Sequence, residues 1–335
     1  MKDSISFKEL LKKEKKFIST GSLLLDLALG GGILRGSIFN LIGDESTGKT
    51  LLGISAGVET QKAGGYLVYD DAEGTLDIHR AVKVFKLDPE RAIYRKDRTV
   101  EALYKGLMDA IIRNSKEKTF NLYVLDSLDA LHTNISASIV EKATEEAKKK
   151  GIEVEELDVS MRDKLDKSAM MSWLFSVLCG ELKDNDVTFF IISQLRMKVG
   201  VMFGEKEDVS GGKALKFYSS QRVRLYEVGK IKKGDTIVGV KIRAKVKKNK
   251  VDAPFREAEF PIYFDKGIGE IESWIDFLRE NSDLVGTKNN FFYRRKSFKS
   301  KSSFIEFLEN DKSAREDVKK MVINVWKAVN KIGEV

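Results

Sequence analysis

The stretch Gly43-Asp44-Glu45-Ser46-Thr47-Gly48-Lys49-Thr50 decides how this chain folds. It fits the phosphate-loop pattern G-x-x-x-x-G-K-[ST] at every fixed position. Before it, Ser37-Ile38-Phe39-Asn40-Leu41-Ile42 is short and apolar enough to be a buried strand. After it, apolar residues recur at helical spacing up to Ala63-Gly64-Gly65. The motif therefore has the strand before it and the helix after it that a phosphate loop requires.

The residue types of this loop indicate its chemistry. Gly43 and Gly48 let the backbone wrap tightly, so that successive N–H groups and the helix N-terminus face one anion. We expect Lys49 to reach the β- and γ-phosphates of a nucleoside triphosphate and the Thr50 hydroxyl to bind Mg²⁺. An ordinary glycine turn before a helix is the alternative, and Lys-Thr in register argues against it.

Two further predicted strands end in carboxylates. The strand over residues 65–73 ends in three acids, and the carboxyl ends of parallel strands line the ligand crevice of an α/β sheet. We assign Glu73 to polarise the water that attacks the γ-phosphate. Capping of the next helix is the alternative role, and it fits Asp70 better. The apolar strand over residues 120–127 ends in Asp126, a Walker B pattern, so Asp126 would hold the water shell of Mg²⁺.

Composition limits the class of protein. The chain has 335 residues, of which 42% are hydrophobic and 33% charged, as in a globular protein with a sizeable core. Its single cysteine excludes a disulfide framework and suits a reducing cytoplasm. No apolar run approaches the ~20 residues that cross a bilayer, so we expect no membrane partner. The net charge of +8 favours a polyanionic partner.

The remaining segments carry weaker signals. Residues 5–16 are predicted to form a short amphipathic helix, and residues 136–167 a charged, solvated and mobile insertion before a helix over 168–182. A buried strand is predicted over 187–194. Glycines should keep residues 196–212 irregular; such a loop, with cations and an apolar wedge, either contacts a nucleic-acid backbone or is a plain surface loop.

Basic residues cluster in two places. Region 230–250 holds nine of them against Asp235, and its lysines and arginine alternate with apolar residues, which predicts a basic strand face that is solvated. Between Gly286 and Ser303 there are six Lys or Arg and no acid, interleaved with aromatic residues. The section 268–335 that contains them is predicted to be a small α/β unit with a basic, aromatic rim.

Taken in order, these stretches resemble the bacterial RecA recombinase family over residues 18 to about 330. The strings that carry the resemblance are Ile18-Ser19-Thr20-Gly21-Ser22, the loop Gly43–Thr50, Asp71-Ala72-Glu73, the Walker B strand, Gln194 to Gly204, Ala214 to Ser220, and Lys248-Asn249-Lys250. The resemblance implies an α/β fold whose RecA-type ATPase core, a mostly parallel sheet flanked by helices, spans 18–267. A short helical segment, 1–17, would precede this core, and a small basic domain, 268–335, would follow it.

The resemblance also implies a function. We expect an ATP- and Mg²⁺-dependent cytoplasmic enzyme that forms a helical filament on single-stranded DNA and exchanges strands with homologous duplex DNA in recombination and repair. The alternatives are a DNA-binding assembly or mediator protein without turnover, and a hexameric DNA motor. An intact Lys49, Glu73 and Asp126 argue against the first, and the string 194–204 argues against the second. We expect a phage-encoded or otherwise specialised member of the family.

Roles carry over from the family position by position. The catalytic set would comprise Glu73, Lys49, Gln194 as γ-phosphate sensor, and Lys248 and Lys250, which would complete the ATP site of a neighbouring subunit. The nucleotide would be bound by Gly43, Asp44, Glu45, Ser46, Thr47, Gly48, Lys49, Thr50, Asp77, Arg80, Asp126 and Phe264, with Arg80 where the family stacks a tyrosine on adenine.

DNA would be contacted by loops at about 136–167 and 195–212. In the second loop the implied contacts are Arg196, Lys198, Val199, Met202, Phe203, Gly204, Gly211 and Gly212. Lys216 and Phe217 would lie in the subunit interface, and the rim 286–301 would capture duplex DNA.

Overall fold

A large β-sheet forms the centre of the fold. The computed structural model describes residues 14–134, 160–197, 207–209, 212–286 and 290–331, with backbone alone at 160–166, 196–197, 207–209 and 212. Among these residues, ten strands form one sheet, and two pairs of short strands stand apart from it.

The strands and helices follow in chain order. The strands are β1 (Phe17–Ile18), β2 (Ile33–Leu34), β3 (Ile38–Gly43), β4 (Tyr66–Asp71), β5 (Ala92–Arg95), β6 (Asn121–Asp126), β7 (Val187–Met197), β8 (Glu207–Val209), β9 (Gln221–Lys233), β10 (Thr236–Asn249), β11 (Glu257–Tyr263), β12 (Gly267–Ile268), β13 (Phe291–Tyr293) and β14 (Lys296–Phe298). The helices are α1 (Leu23–Leu29), α2 (Lys49–Lys62), α3 (Ile78–Lys83), α4 (Val100–Glu117), α5 (Ser160–Asp184), α6 (Gly212–Tyr218), α7 (Glu270–Asn281), α8 (Lys301–Asn310) and α9 (Lys312–Val329).

The sheet is parallel at its centre and antiparallel at one side. Its order is β12-β11-β10-β9-β3-β7-β6-β4-β5, with β8 paired to the end of β7. Strands from β9 to β5 are parallel to their neighbours, whereas β10, β11 and β12 are added antiparallel. This arrangement confirms the predicted α/β class with a mostly parallel central sheet.

Both faces of the central strands are covered, which explains their nearly continuous apolar sequences. Every residue of β3 and of β6 is buried. Because successive side chains of a strand point to opposite faces, Leu122 and Val124 join the core on the α2 side. Tyr123 and Leu125 join the core on the side of α4 and α5. The helix α2 occurs where the helical spacing after the phosphate loop predicts it.

Three predicted boundaries were wrong. Helix α5 begins at Ser160 rather than Ser168, and β7 continues to Met197. Part of the segment 196–212, which was predicted to be irregular, is also regular: Leu195 and Val209 pair across an antiparallel ladder between β7 and β8, and α6 begins at Gly212. A ladder between two separate strands cannot be seen in the local spacing of glycines.

Some predictions fall on residues that the structure does not describe. The insertion at 136–159 lies outside the described residues, as does most of the N-terminal segment 5–16. Residues 14–16 form no helix.

Basic side chains of β10 form ion pairs with carboxylates of β11. Lys241 and Arg243 lie 2.9 Å and 2.7 Å from Glu259 on β11, and Lys245 lies 2.6 Å from Glu257. Since β10 and β11 are neighbouring antiparallel strands, these pairs are directly or diagonally opposite. The face is exposed to solvent, as predicted, with 35–47% of these three side chains accessible, but the strand register matches each of them with a carboxylate that balances its charge.

The C-terminal section packs on the same core as the sheet. Trp274 of α7 and Trp326 of α9 belong to one apolar cluster with Phe260 of β11. The short antiparallel pair β13 and β14 lies against α8. The domain boundary at residue 268 stays a prediction.

Two buried carboxyl groups lie where α1 meets α7. Asp26 accepts hydrogen bonds from the Thr20 backbone N–H at 2.8 Å and from the Thr20 hydroxyl at 2.7 Å. Glu270 Oε1 accepts from the Leu23 N–H at 2.7 Å and from the Trp274 indole N–H at 3.0 Å. Burial raises the pKa of Asp26 to about 7 and that of Glu270 to about 8, and the charge of Asp26 adds to the rise for Glu270.

These raised pKa values predict a pH dependence of stability. A carboxyl group with a raised folded-state pKa stabilises the fold below its unfolded pKa, and this contribution is lost as the pH rises through the folded value. Between pH 5.5 and pH 8 the parent protein should therefore lose stability, and Glu270→Gln should lose ~1–3 kcal/mol less. Thermal unfolding at both pH values checks this, with exposed Glu309→Gln as the control. A loss in Glu270→Gln as large as that of the parent would contradict the assignment.

Candidate nucleotide-binding site

The phosphate loop joins β3 to α2 in a tight turn. Gly48 has φ 81°, in the left-handed region, and a Cβ atom there would lie 2.5 Å from Ile262 Cδ1. Only glycine suits this position, since both the backbone and the space exclude a side chain. The Asp44 carbonyl accepts hydrogen bonds from the Thr47 hydroxyl at 2.8 Å and from Lys49 Nζ at 2.6 Å. These bonds hold the loop in its wrapped form.

The start of α2 offers backbone donors and a cation to an anion. Its N-cap, Gly48, has no side chain to satisfy the N–H groups of the first turn. Burial lowers the pKa of Lys49, while the charges of Asp126 and Glu73 act in the opposite direction. Backbone donors, helix dipole and ammonium group together form an arrangement that binds phosphate.

Thr50 and Asp126 meet beside this loop. The Thr50 hydroxyl donates a 2.7 Å hydrogen bond to Asp126 Oδ2, and the Tyr69 hydroxyl donates one of 2.6 Å to the same oxygen. Burial raises the pKa of Asp126, and the two hydrogen bonds oppose that rise. Asp126 is the last residue of β6 and pairs with Asp71, the last residue of β4, so the strand ends fix its position.

The donor set of this corner fits Mg²⁺. Thr50 and Asp126 supply oxygen atoms only, and Mg²⁺ binds few protein oxygen atoms while it keeps several waters and contacts substrate phosphates. Among the described residues, no group of three or more His, Cys, Asp or Glu could hold a metal by itself. A cation at this corner would therefore depend on the phosphates of the nucleotide.

Glu73 lies two residues beyond the end of β4 and is held by Gln194 of β7 and by Ser127, which follows the end of β6. Its Oε1 accepts a 3.1 Å hydrogen bond from Gln194 Nε2 and a bond from the Ser127 hydroxyl. The Gln194 backbone N–H in turn donates to Asp129 Oδ2 at 2.9 Å. The structure thus joins the predicted water-activating residue directly to the predicted γ-phosphate sensor.

A cavity of about 400 Å³ continues from the phosphate loop. Asp77, Arg80 and Phe264 line it together with the first residues of α2, so these three predicted nucleotide-binding residues lie next to the loop. The Arg80 guanidinium donates to the Phe264 carbonyl and lies 5.6 Å from the centre of the Phe85 ring. Arg80 therefore closes one wall of this cavity.

Comparison with known proteins identifies the chain. A model of the RecA N-terminal domain matches residues 4–269. Protein RecA of Bordetella petrii is 38% identical over 262 residues, which are 77% of this chain and 66% of that relative. The chain belongs to the RecA family. Protein RecA of Bordetella pertussis is similar as well, with 39% identity over 262 residues, 77% of this chain and 67% of that relative.

The family assignment confirms the predicted resemblance, and the aligned part spans about two thirds of the length of these RecA relatives. No helix in the described part of the chain is both long and apolar enough to cross a membrane.

In this RecA-family chain, Lys248 and Lys250 lie far from the phosphate loop. Lys248 pairs with Arg222, which pairs with Asn40 near the start of β3, whereas the loop begins at the other end of β3. Lys248 Nζ donates 2.7 Å hydrogen bonds to the carbonyls of Lys216 and Phe217 at the end of α6. Burial and the charges of Lys250 and Arg222 lower the pKa of Lys248.

The predicted DNA-contacting residues are only partly described. Lys198, Val199, Met202, Phe203, Gly204 and Gly211 lie outside the described residues. The backbone of Arg196 belongs to β7, and Gly212 is the first residue of α6. Phe217, predicted to lie in a subunit interface, is 71% exposed, so its ring is available for such a contact.

Sequence reasoning missed several residues of the site. Tyr69 and Ser127 were treated as ordinary strand residues, although a hydroxyl directly after Asp126, the predicted metal-site carboxylate, is a signal that could have found Ser127. The capping role suggested for Asp70 was wrong. Asp70 is fully buried and accepts hydrogen bonds from the Tyr123 hydroxyl and the Asp97 N–H, while Asp77 caps α3. Burial raises the pKa of Asp70 to about 7.

Proposed function

We propose that this protein is a DNA-dependent ATPase that assembles on single-stranded DNA and catalyses homologous pairing and strand exchange. The observation that carries the proposal is the convergence of Lys49, Thr50, Glu73 and Asp126 at the carboxyl edge of the sheet in a chain of the RecA family. Membership of that family supports the recombination role, and the geometry supports the chemistry.

The residues of the site suit hydrolysis of a phosphoanhydride. Backbone N–H groups at the start of α2 and Lys49 bind and orient the β- and γ-phosphates. Mg²⁺ held at Thr50 and Asp126 would supply positive charge that stabilises the phosphate groups. Glu73 orients the attacking water and accepts its proton, and its bond to Gln194 links this step to the strand that leads into the second DNA loop.

A second cation for the γ-phosphate cannot come from this chain's own Lys248 or Lys250. Asn249, between these two lysines, pairs with Gln221, which pairs with Phe39 of β3. Phe39 lies four residues before Gly43, the first residue of the phosphate loop, and four residues of a strand span ~13 Å. The hydrogen bonds of Lys248 hold its ammonium group at that far edge as well. Two stacked subunits would bring this edge of one against the phosphate loop of the next, which is the arrangement we propose for the filament.

Basic side chains cluster at this same edge of the sheet and would attract an anion. Lys248, Lys250 and Arg222 lie close enough together that their charges repel one another. A phosphate of a neighbouring subunit would offset this repulsion. Exposed Phe217 lies beside them on α6, so movement of this helix would couple the nucleotide of one subunit to its neighbour.

The role of Glu73 predicts a separation of binding from hydrolysis. Glu73→Gln should keep ATP binding and single-stranded DNA binding, since the glutamine carbonyl still accepts from Ser127 and Gln194. It should lower the DNA-stimulated ATPase rate by ~10²–10⁴, because the water-activating group is lost. Phosphate release with and without single-stranded DNA measures this, with exposed Glu90→Gln as the control. A parent without ATPase activity would support a mediator protein instead, and a variant at the parent rate would remove Glu73 from the mechanism.

The shared site predicts complementation between two inactive variants. Lys250→Ala should lower DNA-stimulated hydrolysis far more than ATP binding, because it removes charge from the transition state at a neighbour's site. Lys49→Ala should lose binding at its own loop while still offering an intact Lys250. Mixtures of the two should therefore recover part of the ATPase rate, since some interfaces pair an intact loop with an intact lysine.

The control for this experiment is Lys247→Ala, which changes an exposed lysine near the end of β10 and should leave the rate unchanged. Pelleting with DNA shows whether the two variants assemble together. No recovery in mixtures that do assemble together would indicate a site completed within one chain.

A further inference from the structure

A buried tyrosine beside the Walker B carboxylate has no role in the proposed mechanism so far. Tyr69 is 3% exposed and lies on β4, opposite Val124 of β6. Its hydroxyl does not point to an apolar neighbour; it donates a 2.6 Å hydrogen bond to Asp126 Oδ2. A buried phenol bonded to a predicted metal-site carboxylate is a specific arrangement, because phenylalanine would fill the same apolar space.

The carboxylate of Asp126 accepts two hydrogen bonds from side chains of described residues. Both bonds reach the same oxygen atom, Oδ2. Thr50 and Tyr69 donate to Asp126 Oδ2, at 2.7 Å and 2.6 Å. A carboxylate oxygen has two lone pairs, so these donors occupy Oδ2. Direct bonding of Oδ2 to a cation would break one of the two bonds. The other oxygen, Oδ1, is left to hold the water shell of a cation.

The hydrogen bond from Thr50 to Asp126 also leaves an oxygen atom free for a cation. Because the Thr50 hydroxyl donates its hydrogen bond to Asp126, the lone pairs of the threonine oxygen remain available to a cation. Tyr69 keeps Oδ2 turned toward this proton, so that the threonine oxygen keeps its orientation. Outer-shell hydrogen bonds of this kind commonly tune metal sites.

We propose that Tyr69 is a positioning residue that keeps Asp126 as an outer-shell carboxylate and thereby favours Mg²⁺ over larger cations at the nucleotide site. Mg²⁺ retains several waters and demands octahedral geometry, whereas Ca²⁺ accepts more oxygen ligands and bidentate carboxylates. A carboxylate restricted to one free oxygen suits the first ion better than the second. The inference rests on the proposed nucleotide-binding function and deepens it.

The test uses the full-length protein and the substitution Tyr69→Phe, which removes one hydroxyl. Binding of a fluorescent, slowly hydrolysed ATP analogue is titrated in Mg²⁺, in Ca²⁺ and in EDTA. In EDTA the affinity of the variant should stay within about twofold of the parent. In Mg²⁺ it should fall ~10–100-fold, as is typical when an outer-shell partner is lost. In Ca²⁺ it should fall by less, so the preference for Mg²⁺ narrows.

A matched control is available on the neighbouring strand. Tyr123 is equally buried and donates a 2.9 Å hydrogen bond to Asp70, on the opposite face of the sheet. Tyr123→Phe should leave the cation dependence of binding unchanged. A double-mutant cycle adds a second check: in the Asp126→Asn background, Tyr69→Phe should not alter the response to Mg²⁺ further.

The outcomes are distinguishable. An equal loss of affinity in EDTA and in Mg²⁺, or no loss at all, would overturn the role of Tyr69. So would a Tyr69→Phe protein that does not fold without ligand, since the hydroxyl would then serve the core. A parent that binds the analogue no better with Mg²⁺ than with EDTA would instead contradict the proposed function itself.

Discussion

The register between parallel strands is the constraint on which the rest of this structure depends. Hydrogen bonds between β3 and β7 set Gly43 beside Gln194, and those between β4 and β6 set Asp71 beside Asp126. A shift of one residue would turn every side chain of a strand to the opposite face. The phosphate loop, the proposed water-activating residue Glu73 and the proposed metal-site residue Asp126 meet only because these strands end at one edge of the sheet.

The same sheet separates the two halves of the proposed ATPase. Its carboxyl edge carries the phosphate loop, while the antiparallel strand β10 returns the chain to the opposite edge, where Lys248 and Lys250 lie. A rigid sheet cannot bring both edges to one phosphate. In the filament that we propose, assembly and hydrolysis would be coupled by geometry: the subunit that binds ATP would depend on a neighbour for the cations that stabilise the transition state. The rate of ATP hydrolysis would then depend on whether a subunit has a neighbour in the filament.

The sequence predicted the features that rest on local physical rules. Gly48 and Lys49 have fixed positions because of backbone conformation and phosphate chemistry, so the loop, its strand and its helix were predicted correctly. Features that depend on long-range pairing were missed. The pairing of β8 with β7 and the match of Lys241 and Arg243 with Glu259 require the register of the sheet. Tyr69 looks like an ordinary apolar strand residue until its hydroxyl is seen to reach Asp126.

The most direct test of the shared site is a cryo-electron microscopy structure of the full chain on single-stranded DNA with a slowly hydrolysed ATP analogue. The account predicts a helical filament with the nucleotide between subunits. In it, Lys49 of one subunit and Lys248 and Lys250 of the next would contact the same γ-phosphate. A nucleotide enclosed by residues of a single subunit, a closed ring, or monomers on DNA would contradict the account.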